Sequence, residues 1–190
     1  MTMTMAEPRT FHWTAEQYHA LAAGGVFNGR RVQLIRGEII EMPPMGHPHA
    51  KAISRVERIL QAIFEPADSV GSQMPLNLSG DSEPEPDAAV VAGNMDRYTN
   101  HPTQAILVVE VADTSLVFDR EKAELYAAAG IPEYWIVNLV DHQLEVHRDP
   151  VPAIDKAKAC YRDVQTLAAS ELVAPIARPE AKIAVSGLFA

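Results

Sequence analysis

The sequence predicts an α/β fold of the mixed α+β kind, in which helices flank a mixed β-sheet, and three observations carry this prediction. Residues 105–111, AILVVEV, form an unbroken apolar run rich in β-branched residues, which is typical of a strand covered on both faces. Residues 49–64 have the apolar spacing of a helix, and residues 119–130 begin and end with residues typical of helix ends. Two strand-like segments, EYWIVNLV and QLEVHR, follow in residues 133–148. Helices interspersed with strands in this way pack against a sheet.

Length and composition favour one domain. With 190 residues, 47% apolar and 22% charged, the chain can form one substantial core, so we expect a flexible tail at residues 1–10 and a single domain at residues 11–190. Because no apolar run approaches the roughly 20 residues of a membrane span and the opening segment lacks signal-peptide features, we expect a cytoplasmic protein with no membrane partner. The net charge of −9 predicts weak intrinsic affinity for nucleic acid, unless divalent cations bridge carboxylates to phosphate.

The N-terminal part is predicted to form a helix and a hairpin. Thr14 and Gln17 match a capping box, and Gly24 ends the helix that follows. In residues 31–42, two β-prone runs surround an Arg-Gly pair, where glycine supplies the positive φ of a tight turn.

The rest of the chain is predicted to mix strands with helices. In residues 49–64, apolar side chains recur at helical spacing: Ile53, Val56, Ile59, Leu60 and Ile63. Residues 70–79 are expected to form a strand, and the proline-rich DSEPEP stretch an extended lead into the strand DAAVVA. Asp119 is expected to cap the next helix, which Gly130 ends, and the last 40 residues are expected to add a weak strand or two.

Asp87 and Glu110 are the first candidates for chemistry. A carboxylate inside an apolar strand is costly to bury unpaired, so Glu110 needs a cation, a metal ion or a proton; a salt bridge to a lysine or arginine is the alternative. Asp87 alone could cap a turn. If their strands are neighbours, the two carboxylates meet at one edge of the sheet, where oxygen ligands suit Mg²⁺ or Mn²⁺. Such an ion polarises a phosphodiester and activates bound water.

The helix after Glu110 carries a possible third group. Asp119, Lys122 and Tyr126 share one side of it by their spacing. Lys122 would position water and stabilise charge on a phosphate, with Tyr126 in support, whereas a solvated lysine and a packing tyrosine are the alternatives. Glu38 after the hairpin turn and His49 at the start of the long helix are further candidates to point inward, although a histidine there is more often a hydrogen-bonded core residue.

The chain resembles the Uma-type family, a bacterial group of restriction-endonuclease-like proteins in the PD-(D/E)XK nuclease superfamily. The resemblance covers nearly all of residues 11–189 and depends on LIRGEIIEMPPMGHPHA, SEPEPDAAVV, ILVVEVADTS, DREKAELYAAAGIPEYWIVNLV and SGLFA. It implies a restriction-endonuclease-like mixed sheet flanked by helices, Asp87 and Glu110 as metal-binding acids, and Glu38 as an additional acid. Ala112 stands where the superfamily has its lysine, and the resemblance implies that Lys122 replaces it. Gln33 stands where the family usually has glutamate.

Three functions therefore compete. The first is a Mg²⁺- or Mn²⁺-dependent endonuclease that acts on nucleic acid, with DNA favoured by the resemblance alone. The second is a catalytically silent interaction module of the same fold, which the acidic composition and Gln33 favour. The third is a hydrolase of small phosphodiesters, which needs no basic groove. A homodimer is a further expectation, because EYWIVNLV and QLEVHR could expose a sheet edge or an apolar face.

Overall fold

The computed structural model describes residues 9–154 and 157–189. The predicted tail at residues 1–10 therefore lies mostly outside the described residues, and of it only Arg9 and Thr10, both exposed, are described. Within the described residues, no helix is both long and apolar enough to cross a bilayer.

A six-stranded mixed sheet forms the centre of the fold, with the strand order β3-β4-β5-β6-β7-β8. Only β5 and β6 are parallel, and every other pair in this sheet is antiparallel. The strands are β3 (Ser69–Gly71), β4 (Ala88–Val91), β5 (Leu107–Ala112), β6 (Glu133–Asn138), β7 (Gln143–Val151) and β8 (Cys160–Ala168). Smaller two-stranded sheets comprise β1 (Val32–Ile35) with β2 (Glu38–Glu41), and β9 (Leu172–Val173) with β10 (Ile183–Ala184).

Three α-helices accompany the sheets: α1 (Ala15–Ala23), α2 (His47–Phe64) and α3 (Leu116–Ala128). The apolar face of α2, with Ile53, Val56 and Leu60, packs on one side of the central sheet. Tyr126 and Ala127 of α3 pack on the other side. Because β5 is covered on both faces, all six of its residues are buried, as the apolar run predicts. The predicted mixed sheet flanked by helices is confirmed.

The N-terminal elements follow local signals in the sequence. Thr14 and Gln17 form the predicted capping box of α1. Arg36 and Gly37 have φ angles of 50° and 78°, the two positive values that a tight hairpin turn between β1 and β2 requires. The hairpin and α1 share a small core around Tyr18 and Leu34.

Four predictions about elements and edges are wrong. Of the predicted strand at residues 70–79, only residues 70 and 71 pair in the central sheet, as part of β3. Asp119 does not cap α3, because the helix begins one turn earlier, after Ser115. The C-terminal region supplies β8, a nine-residue strand of the main sheet rather than a weak addition. The expectation that β6 or β7 exposes a sheet edge is also wrong, since both strands are paired on two sides and the edge strands are β3 and β8.

Candidate active site

The pairing of β4 with β5 brings two carboxylates together. Ala88 lies opposite Val109, so the same register places Asp87 opposite Glu110, with both side chains on the α3 side of the sheet. The backbone N–H of Asp87 donates to Glu110 Oε2 at 3.3 Å, and the backbone N–H of Val111 donates to Asp87 Oδ2 at 2.9 Å. Asp87 is 7% exposed and Glu110 3%, so the two form a nearly dry acidic pair.

The helix α3 adds the groups that partly neutralise this pair. Lys122 Nζ donates to Glu110 Oε1 at 2.9 Å, and the Tyr126 hydroxyl donates to the same oxygen at 2.8 Å. Lys122 Nζ also lies 3.4 Å from Asp119 Oδ1, three residues earlier on the same helix face. Lys122 is only 3% exposed, so it is not the solvated lysine of the alternative interpretation.

Asp119 belongs to this cluster through its side chain. The Ser115 hydroxyl donates to Asp119 Oδ2 at 2.6 Å, and the Tyr134 hydroxyl donates to the Asp119 backbone carbonyl at 2.8 Å. These two hydrogen bonds fix the first turn of α3. They therefore also fix the Asp119 carboxylate, which forms an ion pair with Lys122. Ser115 was not singled out from the sequence, although its i, i+4 spacing to Asp119 was available as a signal.

His49 closes the cluster from the opposite helix. It lies in the first turn of α2, with its Nε2 atom 3.2 Å from Asp87 Oδ2. This hydrogen bond raises the pKa of His49 above its usual range, against the lowering effect of burial. His49 is therefore a hydrogen-bonded neighbour of the acidic pair, and the contact with Asp87 favours its charged form.

The buried cluster carries more negative than positive charge. Burial raises the pKa of Glu110 to about 7, an effect that Lys122 opposes and that Asp119 and Asp87 reinforce. Burial likewise raises the pKa of Asp119. Burial lowers the pKa of Lys122, but the carboxylates of Glu110 and Asp119 outweigh it and leave that pKa above its ordinary value. The two ion pairs therefore favour the charged form of Lys122.

The cluster opens into a pocket of about 320 Å³ between the hairpin, α2 and α3. Its charged lining consists of six acidic residues and two basic residues: Glu41, Glu85, Asp87, Glu110, Asp113 and Asp119, with Arg31 and Lys122. Arg31 lies on the rim with its Nε 3.3 Å from Glu85 Oε2, and Phe118 contributes an aromatic wall. Arg31, Glu85 and Phe118 were not anticipated, because their relation to Asp87 depends on how distant segments pack.

Glu38 is not in this pocket. It is exposed on β2 and lines a neighbouring depression with Arg36 and Leu125. The expectation that Glu38 points inward is therefore wrong, because the hairpin register leaves it opposite Ile35 at the exposed turn. Gln33 is buried instead, and its Oε1 atom accepts a hydrogen bond from the backbone N–H of Glu85. Gln33 thus helps to hold the proline-rich segment that leads to Asp87.

The donor set of the pocket fits a hard divalent cation. Asp87 and Glu110 present carboxylate oxygens side by side, and among the described residues no hydrogen bond occupies Asp87 Oδ1. Glu110 and Asp119 share Lys122, and the ion-pair partner of Asp87 among the described residues is His49, so an added positive charge would lower the electrostatic cost of burying these three carboxylates. Asp87 and Glu110 as ligands of such an ion stay a prediction.

The mixed α/β fold that carries this acidic pocket has a counterpart among solved structures. The same fold occurs in a solved structure described as a "putative nuclease belonging to DUF820 from Anabaena variabilis ATCC 29413", with a TM-score of 0.71 over 93% of this chain and 97% of that chain. The two sequences are 15% identical, so this likeness concerns the fold alone. No curated protein matches the sequence.

The family is shown by the sequence itself. A family model described as "Uma2: Putative restriction endonuclease" matches residues 15–185, and the chain belongs to this family. The resemblance seen in the sequence is thereby confirmed. Family and fold together support a nuclease-like, hydrolytic function.

Proposed function

We propose that this protein is a metal-dependent endonuclease that hydrolyses phosphodiester bonds of DNA, with Asp87, Glu110 and Lys122 at its centre. One observation carries the proposal: two opposed strand carboxylates and a buried, charged lysine meet at the floor of an open pocket. Mg²⁺ or Mn²⁺, held by Asp87 and Glu110, would supply a Lewis acid for the phosphate and lower the pKa of bound water.

Each protein group has a distinct task in this proposal. Asp87 and Glu110 provide oxygen ligands, and Lys122 contributes positive charge where negative charge develops on the phosphate. Tyr126 and Asp119 are positioning residues, because their contacts with Glu110 and Lys122 fix the rotamers of both side chains. His49 is a positioning residue for the Asp87 carboxylate through their hydrogen bond. Glu38, exposed outside the pocket, has no task in it.

DNA as substrate rests on family membership rather than on charge. The family description names a restriction endonuclease, and Arg31 on the rim can contact a phosphate. The expected cytoplasmic location and the homodimer stay predictions.

A hydrolase of small phosphodiesters is the second candidate, because six acidic residues line the pocket and the chain has a net charge of −9. Such a surface attracts polyanions poorly, whereas a small phosphodiester needs only the floor of the pocket. One observation still favours the catalytically silent interaction module: Gln33 replaces the glutamate that is usual in the family. Its side chain here accepts a structural hydrogen bond.

Cleavage assays with the full chain separate these functions. Supercoiled plasmid, single-stranded DNA and a chromogenic phosphodiester are each incubated with Mg²⁺, Mn²⁺ or a chelator. We expect metal-dependent DNA cleavage that falls about 10²–10³-fold in Asp87→Asn and in Lys122→Gln. Glu133→Gln is the matched control, because Glu133 is as buried as Glu110 but lies outside the pocket, and it should retain cleavage.

The outcomes are distinct. Cleavage of the chromogenic substrate without cleavage of DNA would replace the endonuclease by the small-substrate hydrolase. If the folded protein cleaves none of the substrates and does not respond to added metal, the silent interaction module is favoured. Equal loss of cleavage in Glu133→Gln and Lys122→Gln, with circular dichroism showing both folded, would contradict the assigned centre.

A further inference from the structure

A second cluster with metal-ligating groups lies outside the pocket. It consists of His19 in α1, Glu83 in the proline-rich segment before β4, and His101 in the loop before β5. His19 Nε2 lies 2.9 Å and 3.0 Å from the two carboxylate oxygens of Glu83, and His101 Nδ1 lies 3.1 Å from Oε1. One ligand atom from each residue lies within 4.8 Å of the others.

The charge on Glu83 lacks a permanent counterion. Glu83 is 3% exposed, and among the described residues its only ion-pair partners are these two histidines. A neutral imidazole can donate a hydrogen bond to a carboxylate, but it carries no positive charge that compensates it. A buried carboxylate in this setting is stabilised by a cation placed between it and the imidazoles.

We propose that His19, Glu83 and His101 form a binding site for a transition-metal dication of the Zn²⁺ type. Two imidazole nitrogens and one carboxylate are the ligands that Zn²⁺ takes at about 2.0–2.2 Å, which requires ligand atoms spaced as closely as these. Nitrogen ligands favour Zn²⁺, Co²⁺ or Ni²⁺ over Mg²⁺, so the site differs in chemistry from the carboxylate pair of the pocket. Both histidine rings are about half exposed, which gives the ion an entry path and a water ligand.

The position of the cluster assigns it a structural task. Glu83 pairs through its backbone N–H with the Leu34 carbonyl at 2.7 Å and precedes Asp87 by four residues. A bound ion would join α1 and the loop before β5 to this segment. It would thus reduce the freedom of the segment that delivers Asp87 to the pocket, independently of whether the pocket hydrolyses a phosphodiester.

The test measures Zn²⁺ binding to the metal-stripped full chain in excess Mg²⁺, which occupies the oxygen ligands of the pocket. We expect Zn²⁺ at about a hundredfold above its Kd to raise the melting temperature by about 5–10 °C. Co²⁺ in place of Zn²⁺ should give the intense visible bands of four-coordinate cobalt. Both signals should disappear in His19→Gln and in His101→Gln, because the glutamine amide keeps a hydrogen bond to Glu83 but is a poor ligand.

Two control variants decide where the ion binds. His142→Asn removes an exposed histidine elsewhere, at a positive φ that asparagine tolerates, and should keep both signals. Asp87→Asn alters the pocket and should also keep them. The proposal is overturned if wild type shows no Zn²⁺ shift, if the shift survives in both glutamine variants, or if it is lost in Asp87→Asn.

Discussion

Two buried glutamates on neighbouring strands, Glu110 and Glu133, show how differently the same residue can be used. Glu133 accepts hydrogen bonds from the Arg148 guanidinium, the Trp135 indole and the backbone N–H of Ile176, so one carboxylate faces one dedicated cation. Glu110 shares Lys122 with Asp119 and lies opposite Asp87 on the floor of a pocket.

Burial alone therefore does not mark a functional carboxylate. Both glutamates are almost inaccessible, at 3% exposure for Glu110 and 1% for Glu133. The two glutamates differ in how fully nearby cations compensate their negative charge and in whether a pocket lies beside them. A balanced pair fixes the position of Arg148, whereas an unbalanced cluster that borders a pocket retains the capacity to bind a cation.

The largest expected effect comes from removing the positively charged side chain that pairs with each of these two glutamates. Lys122→Met and Arg148→Met should each lower the free energy of unfolding by about 3–5 kcal/mol, because each leaves a buried carboxylate unpaired. Addition of Mg²⁺ should recover part of the loss in Lys122→Met and none in Arg148→Met. Urea denaturation with and without Mg²⁺ measures both, and equal recovery in the two variants would remove the distinction.

A smaller effect is expected from removing one donor to Glu110. Tyr126→Phe deletes a hydrogen bond to a carboxylate and should cost about 1.5–3 kcal/mol, the range for bonds to charged groups. Tyr161→Phe is the matched control, because the Tyr161 hydroxyl donates to the neutral carbonyl of Ile131 and should cost about 0.5–1.5 kcal/mol. Denaturant midpoints at about pH 8, above the Glu110 pKa of about 7, compare them, and a greater loss in Tyr161→Phe would contradict an ionised Glu110.

Metal binding by the wild type should give a more modest change. Mg²⁺ at tenfold above its Kd stabilises a folded protein by about 1.4 kcal/mol, or roughly 4 °C in melting temperature for a chain of this size. Asp87→Asn should abolish the shift, and Glu133→Gln should keep it. A shift retained in Asp87→Asn would place the ion away from the carboxylate pair.

A separate expected effect is the pH dependence of the metal-free protein. The pKa of Glu110 is about 7 when folded and near 4.5 when unfolded, so the unfolded chain releases its proton first as pH rises. The contribution of Glu110 to stability is therefore full below about pH 4.5 and is lost as pH rises to about 7. His49, whose pKa is also raised, acts in the same direction. Unfolding curves between pH 5 and 8 should be flatter in Glu110→Gln, and an unchanged slope would contradict the raised pKa.

Local elements were predictable because their signals are short in range. The capping box of α1, the Arg-Gly hairpin turn and the apolar stripe of α2 depend on residues within one or two turns of one another. β8 was underestimated, because most of its residues are exposed and its alternation is weak. It forms a strand through residue-by-residue pairing with β7, which no local pattern in residues 160–168 reveals.

The candidate site likewise contains residues that the sequence indicated and residues that only the structure revealed. Asp87, Glu110 and Lys122 were singled out because an apolar strand containing an acid and a family resemblance point to them. Glu38 was misplaced because its orientation depends on how the hairpin packs. Glu83, His19 and His101 went unnoticed because 64 positions separate His19 from Glu83, and 18 separate Glu83 from His101.

By itself, the sequence determined the mixed α/β class, the helix and turn signals, and the residue types able to ligate a hard cation. Tertiary structure decided which carboxylates share a cation and which have their own. The reason is that charge compensation depends on distance, which falls to 2.9 Å between Lys122 and Glu110 only after β4, β5 and α3 have packed. Backbone preferences act between neighbours along the chain, whereas electrostatic balance acts between neighbours in space.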